Sequence, residues 1–226
     1  MSSPLHIVIG TKNYSSWSLR GWLAVAHTGL AFSEQKLPLD TSEFHDQIGD
    51  LSPTRCVPVL HHEGQKVWDS LAVIDYCARL VPEKNWWPEQ LSAYGHARSV
   101  AAEMHSGFTA LRNHAPMNIR GRWTGLSLSH SVAADINRIE EVWNECRNKY
   151  SENGAYLFGD FGAVDMMYAP VVSRLVTYDI SVSNTSREYM NNILNHPLIQ
   201  RWCEEAKREE DTVFQDELPQ DITMLG

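Results

Sequence analysis

The spacing of apolar positions changes character once along the chain. Over the first eighty or so residues, short apolar runs alternate with helical patterns; further on the period is helical throughout. Residues 5–10 alternate and then run apolar, which predicts a strand buried on both faces. A polar loop, 11–16, ends at Ser15 and Ser16. Either serine can cap a helix that carries Leu19, Trp22, Leu23 and Ala26 at helical spacing and closes at Gly29. Residues 30–39 read as a second strand and 40–51 as a weak helix stopped by Ser52-Pro53. Val57 to His61 and Lys66 to Trp68 predict a hairpin about Glu63-Gly64, and Asp69-Ser70 opens a helix with Leu71, Ile74 and Cys77 on one face. Pro58 silences a ladder donor at the strand's start. That suits an edge, or a place where something other than protein pairs with the backbone. An X-Pro bond at such a position is also where a cis bond is expected.

The second half predicts helices only. Residues 1–82 form the first domain, 83–92 with Trp86-Trp87-Pro88 a linker, and 93–226 an all-helical domain. Residues 93–115 read as one long amphipathic helix, 118–131 as a loop, and 132–150, 162–178, 186–195 and 197–210 as further helices. Pro197 opens the last of them, and an acidic tail after it is expected to be loosely held. Before the 162–178 helix, Phe161 and Met166 form a hydrophobic staple and Asp165 reaches back to the Gly162 amide, a folding role.

Composition narrows the setting. A formal charge of −9 over 226 residues argues against nucleic acid or an anionic membrane as partner. The four cysteines, Cys56, Cys77, Cys146 and Cys203, have neither C-x-x-C nor zinc-like spacing and read as thiols in a reducing compartment. No apolar run is long enough to span a bilayer and no signal region is visible, so the expected location is cytoplasmic. None of the ten histidines falls in a metal-ligand spacing, and no metal is expected. The hairpin and the helix after it carry the candidate chemistry. An exposed backbone before Pro58, followed by a helix start with unpaired amides, describes a site for a small acidic peptide.

This pattern, Val57-Pro58 followed by Asp69-Ser70 and an apolar helix, resembles the glutathione-binding half of the glutathione S-transferases. The loop Asn13-Tyr14-Ser15-Ser16-Trp17-Ser18-Leu19-Arg20 resembles the Ser-Ser-Cys-x-Trp-Arg signature of the zeta class, with Trp17 in place of the cysteine. The resemblance implies a thioredoxin-like domain followed by a helical-bundle domain, a homodimer, and glutathione as co-substrate. It places the Val57 backbone against the cysteinyl part of glutathione, and the γ-glutamyl end on Asp69 and Ser70. Pro58 belongs to the same motif, and Arg55 is a candidate for the glycyl carboxylate. Lys12, Arg20 and Arg55 are the basic groups available against the negative mean charge. For the thiol, Ser15 comes first, then Ser16, then Tyr14. A pocket for the electrophile is expected between the domains, lined by Trp17, Met104, His105, Phe108 and Arg112, with Met117 at the helix end. Arg112 and Arg120 point to an acidic electrophile.

The implied reaction is attack of the glutathione sulfur on an electrophile. A free thiol has a pKa of about 8.5, and lowering it by about two units requires about 2.7 kcal/mol. A hydroxyl donating to the thiolate supplies roughly 1.5–3 kcal/mol and a helix N-terminus roughly 0.3–1. The alternatives are a glutathione-dependent isomerase of the maleylacetoacetate type and a non-catalytic chain that keeps the fold for binding. The zeta class places a diacid-binding arginine where this chain has Thr177, with Arg174 nearly a turn earlier; that and Trp17 argue against the isomerase. A redox role of the omega type needs a cysteine at the helix start, which is absent.

Overall fold

The computed structural model describes residues 4–217 and 223–224. The first half runs β1 (Leu5–Gly10), α1 (Ser16–His27), β2 (Phe32–Leu37), α2 (Ser42–Leu51), β3 (Val59–His62), β4 (Gln65–Val67) and α3 (Ser70–Leu80). The sheet order is β2-β1-β3-β4, with β1 and β2 parallel and the other pairs antiparallel. Two parallel strands need a crossover, and α1 supplies it. Glu63 and Gly64 both take positive φ, 50° and 75°, the conformation that joins β3 to β4 in two residues. Together these elements make a thioredoxin-like domain. Gly29, with φ of 73°, closes α1 as its sequence predicts.

β3 is an interior strand, so the edge reading of Pro58 is corrected. Its ladder with β1 ends at Val59, which leaves the backbone of Cys56 and Val57 beyond the sheet. The Val57–Pro58 bond is cis.

Nearly all of α1 is buried, Trp22 and Leu23 completely, because the helix is covered by α3 and by the helix Ala163–Thr177 of the second domain. A helix that is apolar all round requires such double cover. One hydrophobic core therefore runs from Ile7 and Trp22 through Val73 to Trp143 and Trp202. A smaller one, with Val8, Leu37, Ile48 and Val59, lies under α2.

The second half contains α4 (Leu91–Ser106), α5 (Thr109–His114), α6 (His130–Tyr150), α7 (Ala163–Thr177), α8 (Asn184–Asn195) and α9 (Pro197–Lys207). The single helix expected over 93–115 is broken. Gly107 ends α4 with its N–H donating to the Glu103 carbonyl at 2.8 Å. A side chain at Gly107 would meet that carbonyl oxygen at 2.7 Å, and Phe108 follows with φ of 59°. Apolar periodicity continues across the break because α5 lies against the same core, which is why the pattern hides it. Arg112 then folds back, its Nε donating to Gly107 O at 2.9 Å and a terminal nitrogen to Met104 O. It serves the orphan carbonyls at the end of α4. The loop over 118–131 holds a two-residue strand, β5 (Trp123–Thr124), paired with β6 (Thr223–Met224). At α7 the Gly162 N–H donates to Asp165 Oδ2 at 2.9 Å, and Leu157 N–H and Tyr189 O–H donate to Oδ1 at 3.2 and 3.1 Å.

The expectation of a loose tail is corrected as far as Glu217; residues 218–222 and 225–226 lie outside the described residues. Glu209 accepts the N–H groups of Lys12 and Asn13, each at 2.9 Å. Arg120 donates to the carbonyls of Glu209 and Asp211 and to the Tyr14 hydroxyl. Glu217 accepts the Tyr14 hydroxyl at 2.5 Å and Asn118 Nδ2 at 3.0 Å. The polar run after Lys207 looks solvated because its partners, two backbone amides and several side chains, lie 89 to 203 positions away.

Candidate functional site

A cleft of about 590 Å³ opens where the start of α1, the segment before β3 and the start of α3 meet. That falls within the range of small-molecule sites, roughly 300–1,000 Å³. Its walls include Trp17, Cys56, Val57 and Pro58 on one side and Trp68, Asp69 and Ser70 on the other. Asp69 caps α3 by accepting the Leu71 N–H at 3.0 Å. Ser70 is fully buried, yet its hydroxyl has no partner among the described residues. An orphaned hydroxyl is uncommon in a folded interior and calls for an explanation such as a missing ligand. Here it stands at a helix N-terminus, where partial positive charge favours an anion.

The second domain reaches the cleft through α4. His105 Nε2 lies 3.2 Å from Asp69 Oδ2, and its ring meets Trp17 edge-on at 5.3 Å. His105 Nδ1 is buried without a partner among the described residues. Behind Trp17, the guanidinium carbons of Arg20 and Arg112 lie 4.7 and 4.9 Å from the indole centroid. Arg20 donates from Nε to Met167 O at 2.9 Å, while both terminal nitrogens are buried and unpartnered among the described residues. Burial, and next the neighbouring Arg112 and Arg174, hold the Arg20 guanidinium well below its usual range.

Residues 14–80 match the glutathione S-transferase N-terminal domain. That segment, which spans all of α1 and β2 to α3, is thus similar to a glutathione S-transferase N-terminal domain. It is 21% identical over 162 residues to a probable maleylacetoacetate isomerase from Caenorhabditis elegans, covering 70% of this chain and 75% of that one. A glutathione transferase homologue from Burkholderia, solved with bound glutathione, superposes with a TM-score of 0.70 at 19% identity, over 91% of this chain and 99% of that one. A bacterial zeta-class maleyl pyruvate isomerase gives a TM-score of 0.70 at 16% identity, over 92% and 100%. The helical second half thus completes the glutathione transferase fold.

Within this transferase fold, Val57, Pro58, Asp69, Ser70 and Trp17 come together at the cleft. Arg55 is exposed, with φ of 56°, and is not among the cleft's lining residues. Ser15 is the N-cap of α1: its Oγ accepts the Ser18 N–H at 3.3 Å and donates to Ser18 Oγ at 2.7 Å. Ser16 begins the helix and accepts from Arg174 at 3.4 Å. Both serines are buried, and neither is among the cleft's lining residues, which include Trp17 next to them in the chain. Met104 and Phe108 are packed into the core, as is Met117. Arg112 and His105 approach from behind Trp17 and across Asp69.

Two basic groups are engaged elsewhere. Lys12 pairs with Glu34 at 2.6 Å and with Glu205, and Arg120 holds the 209–217 segment. Tyr14 faces Glu217 and Arg120, and burial, with the Glu217 contact next, raises its pKa. Sequence reasoning did not single out Cys56 and Trp68 as cleft residues. Each adjoins a motif pair, Val57-Pro58 or Asp69-Ser70, and that adjacency is the signal that would have found them. Among the described residues no cluster of three potential metal ligands occurs.

Proposed function

We propose that the chain is a glutathione-dependent transferase that binds the tripeptide along the cleft and ionises its thiol for attack on a small electrophile. The observation that carries this reading is the buried Ser70 hydroxyl at the start of α3, partnerless among the described residues, in a cleft also lined by Val57, whose backbone lies beyond the β1–β3 ladder. A peptide amide pairs with that backbone, and Ser70 with the first amides of α3 takes the γ-glutamyl carboxylate. Asp69 receives the ammonium. Ser15 is the thiol-activating hydroxyl. Its proton leaves Ser18 Oγ, a neutral acceptor, for the sulfur anion, a charged one that binds it more strongly. The bound form is a homodimer in a reducing, cytoplasmic setting.

The cleft favours a working site over a scaffold because a scaffold has no use for an orphaned hydroxyl. A glutathione-dependent isomerase is the second reading, supported by the similarity to the Caenorhabditis elegans relative. Three measurements separate these readings. Retention on immobilised glutathione, abolished in Ser70→Ala, is expected for either enzyme; no retention of the parent chain refutes both. Conjugation of a generic aryl halide, falling more than tenfold in Ser15→Ala, is expected for the transferase; an unchanged rate removes Ser15 from its role. Turnover of a cis-enedione without net consumption of glutathione selects the isomerase.

A further inference from the structure

His6 and His61 are far apart in sequence, yet the sheet register sets them side by side. His6 of β1 lies directly opposite His61 of β3, and the row continues to Ser33 of β2 on one side and Lys66 of β4 on the other. Side chains two apart along a strand share a face, so this row belongs to the face of Val8, Leu37 and Val59, which α2 packs against. The two imidazole centroids are 5.7 Å apart, with the rings tilted by 58°.

Each ring is held by one of its nitrogens. His61 Nε2 lies 2.8 Å from the Leu51 carbonyl at the end of α2. A carbonyl only accepts, so Nε2 carries the proton and Nδ1 the lone pair. His6 Nδ1 lies 2.8 Å from Ser33 Oγ, which can accept its proton and leave the lone pair on Nε2. Neither remaining nitrogen has a hydrogen-bond partner among the described residues. This is how ligating histidines are oriented: the other ring N–H goes to a backbone carbonyl or a similar acceptor, which fixes tautomer and direction.

The separation suits a shared ion. A metal bonded to an imidazole nitrogen at about 2.0–2.1 Å sits about 3.2 Å from the ring centroid, so two rings sharing it at about 90–120° have centroids about 4.5–5.5 Å apart. The observed distance lies just beyond that range. The last carbonyls of α2 bring negative partial charge to the same corner, which favours a cation over an anion. Lys66 Nζ already donates to one of them, Asp50 O. Imidazole donors select copper, nickel or zinc, whereas magnesium and calcium require oxygen.

We propose that His6 and His61 form a surface site for one divalent transition-metal ion, copper, nickel or zinc, with water in the remaining positions. Two protein ligands fall short of the four of a structural zinc site, so the ion exchanges freely and the fold does not depend on it. None of His6, Ser33, Leu51 and His61 lines the cleft, and the site is independent of the glutathione reading.

The test is calorimetric titration of the untagged full chain with nickel chloride and zinc chloride, with magnesium chloride as control. One nickel or zinc ion per chain is expected, and no heat of binding from magnesium. His6→Gln and His61→Gln are each expected to weaken nickel binding at least tenfold. A second measurement uses the parent chain alone, so it does not depend on either variant folding. Substoichiometric Cu²⁺ is expected to broaden the ring-proton resonances of His6 and His61 before those of the other histidines. No binding of nickel or zinc by the parent, parent-like affinity in either variant, or broadening that begins at other histidines overturns the site.

Discussion

Replacing Glu209 with alanine tests whether the loop that delivers Ser15 is held from the far end of the chain. The carboxylate is 7% exposed and accepts two successive backbone N–H groups, those of Lys12 and Asn13, at 2.9 Å each. Hydrogen bonds to a charged group contribute about 1.5–3 kcal/mol each, so the pair amounts to about 3–6 kcal/mol. Lys36, 3.3 Å from the same carboxylate, keeps Asp211 at 2.7 Å and loses little, since exposed pairs give about 0–1 kcal/mol. Water entering the vacated space recovers part of the loss. The expected destabilisation is about 3–4 kcal/mol. Glu209→Gln keeps one acceptor oxygen but turns an NH₂ towards the second amide, for an expected loss of about 2 kcal/mol. Urea unfolding at pH 7 measures both, and hydrogen exchange at the Lys12 and Asn13 amides reports whether the loop opens locally. An alanine variant within about 1 kcal/mol of the parent, with unchanged exchange at both amides, refutes the reasoning.

Three further outcomes follow from buried and exposed side chains elsewhere in the structure. Burial raises the Asp165 carboxyl to about 6 despite its three hydrogen-bond donors, so the native state holds this proton more tightly than the unfolded chain. Its contribution to stability therefore falls as pH rises from about 4 to about 6, on the order of 3 kcal/mol, and is level above; urea titrations of Asp165→Asn should lack that slope. His196 has the opposite sign: burial, with His27 second, lowers it to about 4, and its Nδ1 accepts the Leu198 N–H that begins α9. Stability from this cap is present above the ordinary histidine pKa and lost as pH falls towards 4, so His196→Asn, a cap that does not titrate, should lose less melting temperature between pH 7 and 5. Finally, Cys56 is exposed in the cleft while burial pushes the Cys77 and Cys146 thiols up to about 12. An alkylating reagent followed by peptide mass analysis should mark Cys56 first, and glutathione should slow it; labelling indifferent to glutathione counts against occupancy of the cleft.

The sequence made local features legible wherever one residue type has one physical use. Val57-Pro58, Asp69-Ser70 and the serine opening α1 are of this kind, as are the capping contact of Asp165 and the Glu63-Gly64 turn. What escaped depended on tertiary partners. The break at Gly107 and Phe108 is invisible because the hydrophobic pattern on either side belongs to the same core. Arg20, Arg112, Arg120 and Arg174 look alike in sequence, yet Arg120 serves a tail, Arg174 two carbonyls and the first hydroxyl of α1, and Arg20 and Arg112 keep donors that are unpartnered among the described residues. Nothing in the spacing distinguishes them, since each role is set by carbonyls and carboxylates brought in from other elements. Tyr14 ranks third for the thiol because other classes of the resembled family use a tyrosine near this point, and the bond from its hydroxyl to Glu217 shows which way it faces.

The clasp between residues 209–217 and the loop at 11–15 sets an order of events during synthesis. Glu209 follows the amides it holds by 197 and 196 positions. At a ribosomal pace of about 5–20 residues per second, the loop emerges roughly 10–40 s before its clasp does. Throughout that interval the nascent chain lacks the carboxylate that fixes the approach to Ser15, and for most of it α7 is not there to cover α1. The proposed glutathione site is therefore among the first parts of the molecule to be made and among the last to be finished.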